Sequence, residues 1–460
     1  MHETHTVHDM HAELASSSMN CTVARRISNR DLNKLHIEDQ AIHNWYRFVL
    51  SFPPHLVRTY IAHFGVEQNQ CVLDPFSGTG TVAVECKRLG ISSVGIEANP
   101  MAHFASQVKL DWLPTPDGLV SHAEEVAHAA TVLLQADGIE DTPSPCAIAN
   151  LSLKALPAER KELLLKNSIS PLPLHKTLVL LECLEKLRND QYYRHELLAI
   201  AKSAVQVISN LHFGPEVGIG VIKPDAPVIA TWLTNIRSMA DDLYQTQFSR
   251  AASTIHLGDA RRLPKLLSEQ SIDAVITSPP YPNEKDYTRA TRLESVLLGF
   301  IKDKSELQLL KRGLLCSNTR NVYKGDDDDL WVADQQDVQR VAKDIELRRV
   351  QLGKTSGFER LYAKVTKLYF GGMARHLASL RMVLRPGAQL AYVMGDQASY
   401  LRVMIPTGQL VAAIAESLGY RVTGIDLFRT RLSTATRQQL REEVVLLQWP
   451  GTTYVKQRFV

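Results

Sequence analysis

Apolar residues fall in two rhythms along this chain. Near the start and again beyond 253, short apolar runs of strand length end on an acid or a turn residue. "CVLDPF" (71–76) predicts a strand ending in Asp74, and "SGTGT" (77–81) a tight glycine loop. "VAVECKRLG" (82–90) predicts a helix closed by Gly90, and "SSVGIEANP" (92–100) a second strand with Glu97 at its end. "STIHLGDARRL" (253–263) predicts a strand ending near Asp259, and "SIDAVITSPPY" (271–281) another. Residues 303–360 are charged and read as a long loop plus helix. From 361 the pattern gives a helix, a Gly turn (385–387), a strand (388–396), a helix (408–418), a strand (420–428), an Arg-rich segment (429–441) and a last strand (442–449).

Between these halves the spacing turns helical. Segments 118–136, 155–166, 176–189, 193–209 and 226–246 carry Leu, Ala, Glu and Lys at helical intervals, with prolines near 143–145 and 171–173 between them. Residues 44–70 read as a loop and then an amphipathic helix after Pro53-Pro54. The expected organisation is a tail over 1–30, an α/β domain built from 31–100 and 251–460, and an all-helical insertion over 101–250.

Composition narrows the class. With 460 residues, 45% apolar and 22% charged, the chain suits a soluble globular protein. No apolar run is long enough to span a bilayer, and the N-terminus lacks the order of a signal peptide, so a cytoplasmic setting is expected. Six cysteines without a CxxC pair read as reduced thiols, and no metal site is expected. His2, His5, His8 and His11 recur every third position, but without supporting ligands they read as a polar tail. A net charge of +3 decides nothing about nucleic acid, because local patches outweigh the sum.

The loop "DPFSGTGT" carries chemistry. Gly78 and Gly80 let the backbone turn sharply and approach a ligand closely. Asp74 sits at the first strand tip, Glu97 at the second, where a carboxylate meets ribose hydroxyls, and Asp259 at the third, where it would meet an adenine amine. The pattern lacks the third glycine of a dinucleotide site and the GK[ST] of a phosphate loop. A nucleoside without a phosphate chain fits, and S-adenosylmethionine with its cationic sulfur fits well. A glycine turn serving only the fold is the alternative.

"TSPPY" carries the rest. Pro279 and Pro280 fix two φ angles and remove two donors, so the chain leaves the sheet in a rigid turn with free carbonyls. Ser278 adds a hydroxyl acceptor and Tyr281 an aromatic face. That set suits the exocyclic amine of a base, held by two acceptors and stacked on Tyr281. Reaching such an amine in duplex DNA requires flipping the base out.

These two motifs, in this order, resemble those of the DNA amino-methyltransferases, S-adenosylmethionine enzymes that methylate cytosine N4 or adenine N6. "NWYRFVLSFPPHLV" (44–57) resembles their N-terminal cofactor motif, and "VLRPGAQLAYVMGD" and "REEVVLLQW" resemble their later strands. The resemblance covers roughly 44–100 and 253–450. It implies a Rossmann-like class I methyltransferase sheet with a large helical insertion. It implies cofactor contacts from Phe52, Pro54, Asp74, Pro75, Phe76, Gly78, Gly80, Thr81, Glu97, Ala98, Asp259 and Ala260, and catalysis by Ser278, Pro279, Pro280 and Tyr281. Ser-Pro-Pro-Tyr in this family goes mostly with cytosine N4, and Asp- or Asn-Pro-Pro with adenine N6. The expected substrate is double-stranded DNA in a prokaryotic modification system with a possible cognate endonuclease. RNA or small-molecule N-methylation, and binding without catalysis, are the alternatives. Cytosine C5 chemistry is disfavoured, because the only Pro-Cys, Pro145-Cys146, is followed by Ala147 in a linker.

The insertion does not lie where a base-reading region usually lies, so 101–250 and 303–360 both remain candidates. Tyr287, Arg289 and Arg292 follow the catalytic turn and are candidate phosphate contacts, with a solvated helix face as the alternative. Arg429, Arg431 and Arg437 are further candidates, with pairing to Glu442 and Glu443 as the alternative. Lys311, Arg312 and Arg320 precede the run Asp326–Asp329, which reads as a solvated loop away from DNA.

Overall fold

The alternation in the strands puts apolar residues on both faces of one sheet. A computed structural model of the chain describes residues 32–47, 51–143, 152–213, 216–246, 251–283, 285–433 and 436–451. The expected tail, its four histidines, Pro145 and Cys146 lie outside the described residues. In chain order the strands are β1 (Cys71–Asp74), β2 (Ser92–Glu97), β3 (Leu211–Phe213), β4 (Val217–Ile219), β5 (Ser253–Leu257), β6 (Ile272–Thr277), β7 (Leu384–Gly395), β8 (Arg421–Leu432) and β9 (Gln439–Gln448). The main sheet runs β5-β2-β1-β6-β7-β9-β8. It is parallel from β5 to β7, while β9 is antiparallel to β7 and β8. This mixed order, with one antiparallel strand inserted near the far edge, is the Rossmann-like class I methyltransferase arrangement.

The chain reverses direction in the sheet at β1, with β2 on one side and β6 on the other. Ligands bind at such switch points, outside the carboxyl ends of the strands. The helices that matter there are α1 (Pro54–Phe64), α2 (Thr81–Arg88) and α3 (Pro100–Leu110). Val72, Ala274, Ile276, Ala391, Val393, Val444 and Leu446 point to the α1 and α2 side. Their neighbours Leu73, Val275, Leu390, Tyr392, Val445 and Leu447 point to the other face, onto a long helix over Tyr362–Leu380. Both faces are therefore covered, which is why these strands read as continuous apolar runs.

Residues 101–250 hold α3 and then α4 (Pro116–Ala136), α5 (Ala158–Leu163), α6 (Pro171–Lys186), α7 (Tyr193–Ser203) and α8 (Ile229–Gln245). The stretch is not all-helical. A single π-turn over Ala204–Ile208 ends α7, and the antiparallel ribbon β3–β4 follows. The prolines at 171–173 do not separate helices either. Pro171 begins α6, where its missing N–H costs nothing.

One buried core joins α3, Ala83 and Val84 of α2, and α4, α6, α7 and α8. Ile42 and Trp45 belong to it too, and both the Ile42 amide and Trp45 Nε1 donate to Asp242 Oδ2 at 2.8 Å. The segment before α1 is thus sewn to α8, so the helices continue the core beside the sheet edge.

Three further departures have local causes. Residues 385–387 are the start of β7 and not a separate turn, because the Gly387 amide donates to the Trp449 carbonyl at 2.7 Å. The Arg-rich segment is strand on both sides of a tip, since β8 pairs with β9 from Arg421 to Leu432. The acidic run is not a wholly solvated loop. Asp328 is buried and binds Arg261 Nη1 at 2.6 Å and Arg375 Nη1 at 3.1 Å.

Candidate active site

Strand ends and the turns that follow them build one cleft of about 1100 Å³. Gly78 and Tyr281, about two hundred positions apart in sequence, both line it. From the loop come Pro75, Phe76, Gly78 and Thr81, from β2 Glu97 and Ala98, and from the end of β5 Asp259 and Ala260. Ser278, Pro279, Pro280 and Tyr281 line it at the end of β6, and Phe52 before α1. Tyr287, Arg289, Arg429 and Arg431 also line it. Pro54, Asp74, Gly80, Arg292 and Arg437 do not.

The loop takes its shape from two glycines. Gly78 and Gly80 sit at φ 52° and 83°, in the left-handed region that L side chains avoid. At Gly80 a Cβ would also come within 2.9 Å of Ser106 Cβ on α3. The glycine is therefore a packing requirement of the loop against α3, and its backbone caps α2.

Asp74 works beneath the cleft rather than in it. Its Oδ1 accepts from Thr277 Oγ1 at 2.6 Å and from the Phe76 amide at 3.1 Å. It ties the glycine loop to the residue just before Ser278, so the two motifs are one mechanical unit. Its Oδ2 is buried and has no hydrogen-bond partner among the described residues. Burial pushes this carboxyl up to about 7, against the Thr277 hydrogen bond.

Glu97 faces the cleft with each oxygen already oriented. The Gly78 amide donates to Oε2 and the Asn99 amide to Oε1, both at 2.7 Å. Burial raises it to about 7 as well. Asp259 is less free than the sequence implied. Arg261 grips it through Nε and Nη2, both at 2.9 Å, and donates its own amide to Oδ1. Asp328 holds the other end of Arg261, so the acidic run braces the cofactor side from outside.

The catalytic turn keeps its acceptors. Ser278 Oγ donates to the Val393 carbonyl at 3.2 Å and hydrogen-bonds the Tyr281 phenol, which leaves it acceptor capacity toward the cleft. Among the described residues no donor reaches the Pro279 carbonyl. The Tyr281 amide donates to Tyr287 Oη at 3.3 Å, and burial pushes the Tyr281 phenol up, so it stays protonated.

Three of the six arginines and aromatics proposed for DNA are occupied. Arg292 binds the Thr288 carbonyl at 3.2 Å and Thr288 Oγ1 at 2.7 Å. Arg429 binds Glu442 at 2.5 Å, and Arg431 lies 3.3 Å from the same acid. Arg289 lies 3.9 Å from Glu216, across the cleft mouth. Arg437 is exposed at the β8–β9 tip.

Several lining residues gave no sequence signal. Glu294 is buried, accepts from the Tyr46 hydroxyl, and has an unpartnered Oε2. Burial raises it to about 7. Lys202, Gln206, Phe213 and Glu216 of the insertion also reach the cleft. A helical spacing places residues on a face, but it does not say which face turns to a site sixty or more residues away in sequence.

A family model described as DNA methylase matches residues 24–107. The Type II methyltransferase M.BsoBI of Geobacillus stearothermophilus is 27% identical, over 95% of this chain and 89% of its own length. The chain is thus similar to the N4/N6 DNA methylase family over residues 24–107, and to a Type II methyltransferase over nearly its whole length. The Type II methyltransferase M.AvaI of Nostoc sp. is 25% identical over 91% of this chain and 86% of its own. A solved structure of TrmN from Thermus thermophilus, at 10% identity and a TM-score of 0.29, covers 89% of this chain and 52% of its own, and carries no argument.

Methyltransferases of this family use S-adenosylmethionine as methyl donor, and the residues present here fit it. The loop backbone is open to close approach at Gly78, Glu97 offers a carboxylate to ribose hydroxyls, and no phosphate-binding lysine follows the glycines. No helix among the described residues is long and apolar enough to cross a membrane.

Proposed function

We propose that this protein methylates the exocyclic N4 amine of a cytosine extruded from duplex DNA, as the modification enzyme of a Type II system. The observation that carries the reading is the convergence of Gly78, Glu97, Ser278 and Tyr281 on one cleft. The bound cofactor supplies an electrophilic methyl group. The protein's own part is to hold the amine. Its lone pair is delocalised into the ring, so acceptors on both N–H bonds favour the pyramidal nitrogen that attacks. Ser278 Oγ and the free Pro279 carbonyl are the acceptors proposed, and Tyr281 the stacking face.

Phe52, Phe76, Glu97, Ala98 and Ala260 are proposed to surround the cofactor, and Asp74 to set the loop against Thr277. Serine at the first position of the turn supports cytosine N4 over adenine N6. On binding, the Ser278 hydroxyl turns its single proton from the Val393 carbonyl toward ring N3 of cytosine and accepts from the amine. Full-length similarity to two Type II methyltransferases supports the setting.

The test is incubation with tritiated S-adenosylmethionine and duplex DNA, RNA or free nucleosides, followed by mass spectrometry of the nucleosides. N4-methylcytosine confined to DNA is the expected product. N6-methyladenine would transfer the same site to adenine, and label in RNA alone would overturn the DNA reading.

A further inference from the structure

The ribbon β3–β4 has an apolar face without an apolar core to cover. Leu211 pairs with Ile219 and Phe213 with Val217, so these four side chains share one face. Val221 continues the same alternation and is 84% exposed. Leu211 packs beside a small buried cluster that joins the insertion to residues 293–310, but Phe213, Val217, Ile219 and Val221 join none of the buried cores among the described residues. Leu211, Phe213 and Val217 instead line the cleft.

Isolated two-stranded ribbons are marginal in water, so this one needs an anchor. Asn210 supplies it. Its Nδ2 donates to the Asn167 carbonyl and to Ser170 Oγ at 3.0 Å, and its Oδ1 accepts from the Lys223 amide at 2.8 Å. Gly220 N closes the base of the ribbon on the Asn210 carbonyl at 2.7 Å. The π-turn just before it also brings Val205 and Gln206 to the cleft.

The far end of the ribbon meets the catalytic side. Glu216 lies 3.9 Å from Arg289, two residues past Tyr287, which holds the amide of Tyr281. The ribbon therefore stands over the mouth of the cleft, across from the Ser278–Tyr281 turn. Leu211, Phe213 and Val217 of its apolar face line the cleft together with Arg289 and Lys285, while Ile219 and Val221 are exposed.

We propose that this ribbon is the DNA-contacting arm of the insertion, with Phe213 and Val217 packing on nucleobases of the strand that enters the cleft. Flat apolar faces flanked by cations are what a nucleic acid strand offers a match to, through base stacking on one side and phosphate on the other. The Glu216–Arg289 pair is loose and half-exposed, so a phosphate competes with Glu216 for Arg289 as the strand enters. This rests on the reading of the protein as a DNA methyltransferase, and it assigns to the insertion the contacts that the sheet-edge motifs do not make.

Two measurements test it. Duplex DNA substituted with 5-iodocytosine and 5-iodouracil is photo-crosslinked to the full-length wild-type protein and digested with trypsin. An adduct on the tryptic peptide over 203–237 is expected, since Pro224 blocks cleavage after Lys223. In parallel, F213A/V217S is expected to raise KM for duplex DNA about fivefold or more, the loss of a stacking contact. Its melting temperature and its affinity for S-adenosylmethionine are expected to stay at wild-type values. Where the wild type methylates DNA, adducts confined to other peptides, or an unchanged KM in the variant, overturn the arm. A wild type that binds S-adenosylmethionine but labels no DNA overturns the functional reading, and the arm falls with it.

Discussion

The two walls of the cleft are built on different principles. The sheet-edge wall is made by strand ends, and each of its groups is pinned by backbone. Glu97 is held by two amides, Ser278 by the Val393 carbonyl, and Gly78 and Gly80 by their positive φ. The opposite wall is made by the insertion and by the segment before α1. It presents Tyr46 and Lys202, positioned by the core beside the sheet edge, and Phe213 and Glu216 from a ribbon anchored through Asn210. The first wall is suited to chemistry, which tolerates little displacement. The second is suited to recognition, where a change of side chain alters the partner and leaves the reaction intact. The comparison makes a demand. Substitutions on the sheet edge should cut turnover or cofactor affinity, and those on the insertion should move only the DNA terms.

The largest effect expected is that of Ser278→Ala. It removes an acceptor used chiefly as the amine becomes pyramidal, so turnover is predicted to fall about 10²-fold or more. Cofactor affinity, measured by calorimetry, should hardly change. Equal turnover would show that the amine is held by other groups and would break the assignment of chemistry to this wall.

Next comes Gly80→Ala. The left-handed backbone costs an L residue about 1–2 kcal/mol. A Cβ would also press on Ser106 at 2.9 Å. The loop must shift, and S-adenosylmethionine is predicted to bind about thirtyfold more weakly, as 2 kcal/mol implies. Wild-type affinity would mean that the loop is not part of the cofactor site.

How far each wall was legible follows from the same difference. Strand ends announce themselves. An apolar run, an acid and a glycine or proline are local in sequence, so Gly78, Glu97 and the Ser278–Tyr281 turn could be located without a fold. What Asp74 does could not. Its partner Thr277 is 203 positions away, and only the β1–β6 pairing brings them together. Asp259 stood in sequence only as a strand-tip acid; that Arg261 grips it is visible only in the fold, where the other end of Arg261 is held by Asp328 of the acidic run. The helical spacing of 101–250 was visible, but the ribbon was not. Its strands are three residues each, too short for an alternation to stand out. Glu294 left no mark either, because a single acid in an apolar helix is legible only when Tyr46 is seen against it.

The pH dependence of cofactor binding probes the same wall more gently. Burial raises Glu97 to about 7, above its ordinary value of 4.5. A ribose hydroxyl donates to the ionised form, so binding favours loss of that proton. The affinity for S-adenosylmethionine is predicted to rise about tenfold from pH 6 to pH 8 and then level off, with proton release on binding below pH 7. The sign for folding is opposite. A carboxyl whose folded value is raised stabilises the neutral form, and that contribution is lost as pH rises from about 4.5 to about 7. Asp74 and Glu294 share this direction. Glu97→Gln should flatten the binding profile. A profile of unchanged steepness in that variant would move the titration to Asp74 or Glu294.

The smallest effect expected separates arginines that look alike in sequence. Arg429 and Arg431 are tied to Glu442 in the β8–β9 hairpin, so a phosphate must displace an acid before it gains either of them. Arg437 sits at the tip, exposed, and among the described residues no acid holds its guanidinium. A phosphate contact there would come without that cost. Arg437→Ala is therefore predicted to weaken duplex binding uniformly across sequences and to lower the slope of log K against log salt by about 1. Arg429→Ala should leave the slope near its wild-type value while lowering the melting temperature, because it leaves the nearly buried Glu442 with the longer Arg431 contact alone. The reverse pattern would mean that the Glu442 pair opens on binding, and that the tip points away from the DNA.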